Sequence, residues 1–318
     1  MSATSASALT KFTQQFNLQR PEEVAHFFPQ GRFSGPIGLL RRLKHRKVSE
    51  TAVCLFAAQH PSAQVSQLFA HHPLQRKIQR AEQGIFIENP SLLRSISNSA
   101  RFLRAYFSKD GKKIGALFPC SRFAAREIAK HIPTKISDKQ ELNVLEIGAG
   151  SNGPLTKEIF ERMPLVKKGS KEKKGRVTID INELRPDFCK ELRKRFGHIF
   201  NNNRFDVNLI QGDILDHTPS YKYDRVICSL PFNSLPESVV NKIFSKIQTL
   251  AKPNAIVSML DYGIFSQAKT IFAPQKTRAS LKRILLQKDT FFKEAQKREQ
   301  VFPVLNIPPV RVRHMQLA

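Results

Sequence analysis

The hexapeptide Gly148-Ala149-Gly150-Ser151-Asn152-Gly153 offers the clearest chemistry in the chain. Glycines two positions apart let a backbone turn tightly and approach a ligand with no Cβ in the way. The helix-like segment that follows supplies N–H groups without intrahelical partners. The spacing is G-x-G-x-x-G, which by itself serves any dinucleotide or nucleoside cofactor. Glu146 narrows the choice, because an ionised carboxylate two residues before the first glycine opposes a pyrophosphate and suits a cationic ligand. Further acids follow further apolar runs: Asp180 within RVTIDI, Glu183 three residues on, and Asp213 with Ile214 in QGDIL. Each acid taken alone also fits a solvated loop carboxylate or a helix cap. A fourth apolar run ends in Ser229-Leu230-Pro231-Phe232, where Phe232 fits either a ligand-facing ring or a plug beneath the loop.

These residues need a scaffold that gathers them. The apolar runs LNVLEIGAG, RVTIDI, VNLIQGD, DRVICSL and AIVSML alternate with the helix-like segments GPLTKEIFERM, RPDFCKELRKRF and ESVVNKIFSKIQTLA. That alternation predicts an α/β fold, a Rossmann-like parallel sheet with helices on both faces, whose ligands gather at the carboxyl ends of the strands. A helix over SRFAAREIAKHI precedes the first strand, and the tail VFPVLNIPPVRVRHM supplies one or two closing strands. Residues 1–100 read instead as short helices broken by Pro21, Pro29, Pro36, Pro61, Pro73 and Pro90. The expected division is a basic helical region over 1–100 and a catalytic-size domain over 101–318.

VLEIGAGSNGPLT resembles motif I of the class I S-adenosylmethionine-dependent methyltransferases. The resemblance implies a seven-stranded sheet with its last strand antiparallel, S-adenosylmethionine as cofactor, and a cofactor set of Glu146, Gly148, Ala149, Gly150, Asp180, Asp213, Ile214 and Ser229. Asp180 matches the acid that receives both ribose hydroxyls, with Glu183 as the alternative. Asp213 matches the residue that receives the adenine amino group, and Ile214 offers an adjacent amide or apolar contact. SLPF is similar to the N-L-P-Y signature of adenine and amide methyltransferases, among them the ribosomal RNA adenine dimethyltransferases, but Ser229 replaces the usual Asn or Asp. A second resemblance, covering residues 101–314, is to the soluble bacterial phospholipid N-methyltransferases that act on phosphatidylethanolamine. It rests on Gly115-Ala116-Leu117-Phe118-Pro119-Cys120-Ser121-Arg122, motif I, Ser229-Leu230-Pro231-Phe232, and Asn306-Ile307-Pro308-Pro309-Val310-Arg311-Val312. It implies an aminophospholipid acceptor, with Cys120 and two basic insertions, at 167–176 and from Lys276 to Arg298, as departures. A catalytic set of Ser229, Leu230, Pro231, Phe232 and Tyr262 follows. Phe232 and Tyr262 are placed to hold a cationic amine by cation–π contact, or Phe232 to stack on an adenine. Arg122 suits a lipid phosphate, a cofactor carboxylate or a plain salt bridge.

Composition bears on partners. The 318 residues carry 52 Lys and Arg against 26 Asp and Glu, a formal charge of +26, so the partner is anionic: a membrane surface in the leading reading, RNA in the alternative. Lipid substrates do not dissolve, and KTRASLKRILLQKDTFFKEAQKR, with Leu281, Ile284, Leu285, Phe291 and Phe292 for one face, is the leading candidate for a basic helix lying on a bilayer, ahead of residues 36–48. The competing reading packs that helix against the sheet. No apolar run is long enough to span a membrane, and Cys54, Cys120, Cys189 and Cys228 stand apart, without metal-ligand spacing. The expected setting is the reducing cytoplasm, peripheral to the inner face of the membrane, with no metal. Three function classes remain: an aminophospholipid N-methyltransferase, an RNA methyltransferase, and a basic cofactor-binding protein without turnover. Glu146 and GDIL disfavour a nicotinamide dehydrogenase.

Overall fold

A computed structural model describes residues 50–59, 65–68, 74–86, 120–137, 140–151, 153–164, 176–200, 206–261, 275–302 and 310–318. The chain divides into two compact units, residues 1–89 and 90–318. In the first, helices α1 (Glu50–Gln59), α2 (Val65–Leu68) and α3 (Gln75–Glu82) bury Val53, Ala57, Val65, Ile78 and Ala81. Glu82 fastens α2 to α3 by accepting from the Ser66 amide at 2.8 Å and the Ser66 hydroxyl at 2.7 Å.

The second unit runs α4 (Arg122–Ile128), β1 (Leu142–Ile147), α5 (Pro154–Arg162), β2 (Val177–Glu183), α6 (Pro186–Phe200), β3 (Asp206–Gln211), β4 (Tyr223–Cys228), α7 (Glu237–Leu250), β5 (Ala251–Asp261), α8 (Gln275–Lys293), β6 (Lys297–Val301) and β7 (Arg311–Gln316). The seven strands form one sheet in the order β3-β2-β1-β4-β5-β7-β6. β1 to β5 are parallel, and β7 runs antiparallel between β5 and β6. This is the Rossmann-like sheet with helices on both faces that the methyltransferase resemblance leads one to expect.

Every residue of β1 and β2 is buried, the signature of central strands covered on both faces. Side chains alternate across the sheet. Leu145 and Ile147 point into a core with Val240, Phe244 and Ile247 of α7 and Ile284 and Phe291 of α8. Glu146 points the opposite way, to Thr156 of α5. α5 and α6 meet on that side through Phe160 and Phe196, whose ring centroids are 5.5 Å apart. Helix starts follow local chemistry: Ser121 Oγ accepts from the Ala124 amide at 3.2 Å, and Pro154 opens α5 where no amide partner is required.

The basic helix expected from Lys276 to Arg298 ends at Lys293, and Lys297–Val301 is a strand. Leu286 faces solvent, but the residues expected to line a docking face turn inward or are half-buried. Leu281, Ile284, Lys288, Phe291 and Ala295 are buried, a spacing of three or four that turns one stripe of α8 and the residues after it onto the sheet. The helix-on-bilayer reading of this stretch is therefore corrected, because its apolar face is already covered. The other stretch proposed for membrane contact, residues 36–48, lies outside the described residues, as does the first basic insertion apart from Arg176. Among the described residues no helix is long and apolar enough to cross a membrane.

Candidate active site

The sheet order reverses direction between β1 and β4, which opens a crevice at their carboxyl ends. The glycine turn stands there. Gly148 and Gly150 take φ of +78° and +70°, values that side chains other than glycine adopt only with strain. The two differ in surroundings. A Cβ on Gly148 would come within 2.7 Å of Leu230 Cδ2, whereas a Cβ on Gly150 would meet nothing within 4 Å. The turn is thus closed on the β4 side and open at Gly150.

Three strand ends hold the turn in place. The Asn182 carbonyl accepts from the amides of Gly148 and Ala149 at 3.0 and 3.2 Å, and its side chain donates to the Gly212 carbonyl at 3.0 Å. Ser229 Oγ donates to the Gly148 carbonyl at 2.7 Å, and its amide donates to Ile147 O at 3.1 Å. Glu183, at the tip of β2, accepts from the Gly150 amide at 2.8 Å and from the Arg185 amide at 2.9 Å. A buried carboxylate with one backbone donor on each oxygen is held rigidly and keeps further lone pairs on both.

Glu146 is fully buried at the end of β1. Thr156 donates to its Oε2 at 2.7 Å, and its Oε1 has no hydrogen-bond partner. Burial, aided by the charge of Glu183, pushes its carboxyl up to about 8. The charge of Glu146 also reaches Cys120, whose thiol burial drives up to about 12, so the residue leading into α4 shares this environment. A protonated acid with an orphaned oxygen is the arrangement a positive ligand would complete, since its charge restores the ionised form.

Other expected site residues divide into those at the crevice and those away from it. Asp213 stands just past β3 and caps a 3-10 turn over Ile214–Asp216 by accepting from the Leu215 amide at 3.0 Å through Oδ1. Its other carboxylate oxygen is not used in that cap. The Ile214 side chain is buried in the core below. Asp180 is a correction. β2 runs three residues beyond it, and its carboxylate lies on the opposite face from Glu183, taken up by Asn208 Nδ2 at 2.8 Å, by Tyr221 OH at 2.8 Å and by Tyr223 OH. Burial and this hydrogen bond drive both tyrosine hydroxyls well above their ordinary range, so they stay protonated donors. The apolar run RVTIDI ends at Ile181, but the strand continues through Asn-Glu, and that hid the true tip.

Phe232 is a second correction. It is buried in the core, 5.0 Å from the Phe244 ring, and Phe244 stacks in turn on Phe291 at 4.6 Å. It plugs the space under the loop and presents no face to an acceptor. Leu230 packs on Gly148, and Pro231 starts a 3-10 turn over Phe232–Ser234. Tyr262, residues 115–119 and residues 306–309 lie outside the described residues. Arg122 is exposed, its guanidinium 5.0 Å from the Phe123 ring.

A charged cluster with no motif to announce it in the sequence sits at the end of β5. Asp261, at the carboxyl end of β5, is buried against Lys288 of α8 and against Arg311 and Arg313 of β7. Its signal, a lysine at a core position of an amphipathic helix, becomes visible only once the helix phase is fixed. All four cysteines are free thiols, and among the described residues no cluster of His, Cys, Asp or Glu could hold a metal ion.

No known family pattern matches the chain, and no curated protein is similar to it. Among solved structures it is similar to the O-methyltransferase TomG from Streptomyces achromogenes, solved with its S-adenosylmethionine, at a TM-score of 0.47 and 11% identity over 74% of this chain and 94% of that one. It is also similar to the N-methyltransferase NodS from Bradyrhizobium japonicum, at a TM-score of 0.42 and 10% identity over 62% of this chain and 93% of that one.

Proposed function

We propose that the chain is an S-adenosylmethionine-dependent N-methyltransferase whose acceptor is the amine of an aminophospholipid headgroup. The observation that carries the cofactor assignment is the pairing of an orphaned buried carboxylate oxygen on Glu146 with a glycine turn that opens at Gly150. A phosphate-bearing cofactor would meet two acids there, while a sulfonium and an ammonium would meet their counter-charges. These residues fit the cofactor. Glu146 serves its positive end, Glu183 takes the ribose hydroxyls in place of Asp180, and Asp213 takes the adenine amino group.

When bound, S-adenosylmethionine supplies an electrophilic methyl group on a sulfonium. The protein's own task is to align an amine lone pair with it and to exclude water. Ser229 contributes to both. Its hydroxyl proton is committed to the Gly148 carbonyl, so its oxygen keeps lone pairs for an amine N–H while tying the β4 turn to the glycine turn. Phe232 supports that turn from beneath and does not touch the acceptor.

The lipid acceptor rests on the four sequence blocks that resemble those of the phospholipid N-methyltransferases. One observation favours RNA instead: α6 exposes Lys190, Arg193 and Lys194 along one side, a basic stripe suited to phosphates. Labelled S-adenosylmethionine offered with phosphatidylethanolamine liposomes and total RNA in parallel separates the two. Labelled lipid is the expected result; label in RNA alone moves the acceptor to RNA, and cofactor binding without any labelled product leaves a binding protein.

A further inference from the structure

The β5 cluster carries more positive charge than its acids require. Lys288, Arg311 and Arg313 converge on Asp261, and Arg313 also pairs with Asp289 at 2.6 Å. Among the described residues three cations therefore face two carboxylates. Arg311 already donates to Asp261 Oδ2 through both Nε, at 3.0 Å, and Nη2, so neutralising Asp261 does not call for a further buried lysine. A side chain as costly to bury as Lys288 needs another role.

Its geometry supplies one. Lys288 Nζ donates to Asp261 Oδ1 at 2.6 Å and to Asn233 Oδ1 at 3.0 Å. Asn233 is the middle residue of the 3-10 turn that follows Ser229-Leu230-Pro231. One ammonium thus joins the end of β5 to the turn that carries Ser229 and Leu230, which in turn touch the glycine turn at Gly148. α8 holds the same turn apolarly through Phe291, Phe244 and Phe232. A polar latch beside an aromatic column fixes a turn's angle as well as its height.

We infer that Lys288 is a positioning residue for the acceptor side of the site, holding the Ser229–Asn233 turn against the end of β5. It acts through Asn233 and not on the reacting atoms. This rests on the methyltransferase reading for its catalytic consequence but not for its structural one. Lys288→Met keeps the length and leaves Asp261 Oδ2 with its two arginines while Oδ1 loses its lysine donor, so its urea midpoint is read as well, and Lys288→Arg, which keeps a donor, serves as the second variant.

The test combines hydrogen exchange, cofactor calorimetry and steady-state kinetics on the full chain. In Lys288→Met the amides of Phe232, Ser234 and Leu235, which donate within this turn, exchange at least tenfold faster, while those of Gly148 and Ala149 and the affinity for S-adenosylmethionine are unchanged. With the acceptor identified by the labelled-methyl assay, kcat falls tenfold or more at unchanged cofactor KM, and Lys288→Arg restores part of it. Unchanged exchange in the turn overturns the inference whether or not the wild type is active. Faster exchange with unchanged kcat overturns its catalytic part. A wild type that binds no cofactor sinks the methyltransferase reading instead, and the exchange comparison still decides the latch.

Discussion

Glu146 links pH to both stability and binding. Its folded-state carboxyl lies near 8 because burial penalises the charge, against an ordinary value of 4.5 in the unfolded chain. The folded state therefore holds a proton the unfolded state has released. The stability this gives is full below about 4.5 and is lost as pH rises through about 8. Glu146→Gln keeps an acceptor for Thr156 and removes the titration, so its denaturation midpoint is expected to gain on wild type between pH 5 and 8. A cationic ligand reverses the balance by favouring the carboxylate. Wild-type affinity for S-adenosylmethionine should rise from pH 6 toward 8 with release of a proton, readable by calorimetry in buffers of different ionisation enthalpy. Glu146→Gln should bind about 10- to 100-fold more weakly and without that slope, the loss of one charge-assisted contact. A flat wild-type profile would place the ligand elsewhere.

At the level of elements, the decisive fact is the rotational phase of α8. Its basic residues Lys282, Arg283 and Lys293 face solvent, and Arg283 pairs with Glu237 of α7 at 2.6 Å, while Ile284 and Phe291 belong to the core. Phe291→Ala should therefore cost about 3–5 kcal/mol, as a large aromatic removed from a packed interior does, and Phe232→Ala a similar amount. Leu286→Glu, at an exposed position of the same helix, should change stability by less than about 0.5 kcal/mol. Urea midpoints of the three variants check this. A near-neutral Phe291→Ala would return α8 to the surface and reopen its docking role. Nothing in the linear sequence separates an amphipathic helix that lies on lipid from one that lies on a sheet, because both present an apolar stripe and a charged back.

For the whole molecule, all seven strands and the crevice fall within residues 90–318. We propose that this unit is the complete methyltransferase domain and that the basic region before it serves another purpose. A fragment beginning at residue 90 should bind S-adenosylmethionine as tightly as the full chain, and a loss of binding would make residues 1–89 part of the site. Much of this architecture was legible beforehand: short apolar runs alternate with helix-like segments, and glycines with positive φ at 148 and 150 mark a turn that few other residues can make. That Glu146 and Asp213 stand at the carboxyl ends of β1 and β3 was legible too, since each sits at a fixed offset from an apolar run. Asp180 was not, because periodicity marks a strand's apolar middle and leaves open how far a polar end extends the ladder, and a carboxylate three residues from the tip faces the other side. Phe232, Lys288 and the inward face of α8 were decided only by tertiary packing. Sequence spacing determines which side chains share a face, but which face is covered, and which buried charge meets which loop, depends on elements that are distant in the chain and adjacent in the fold.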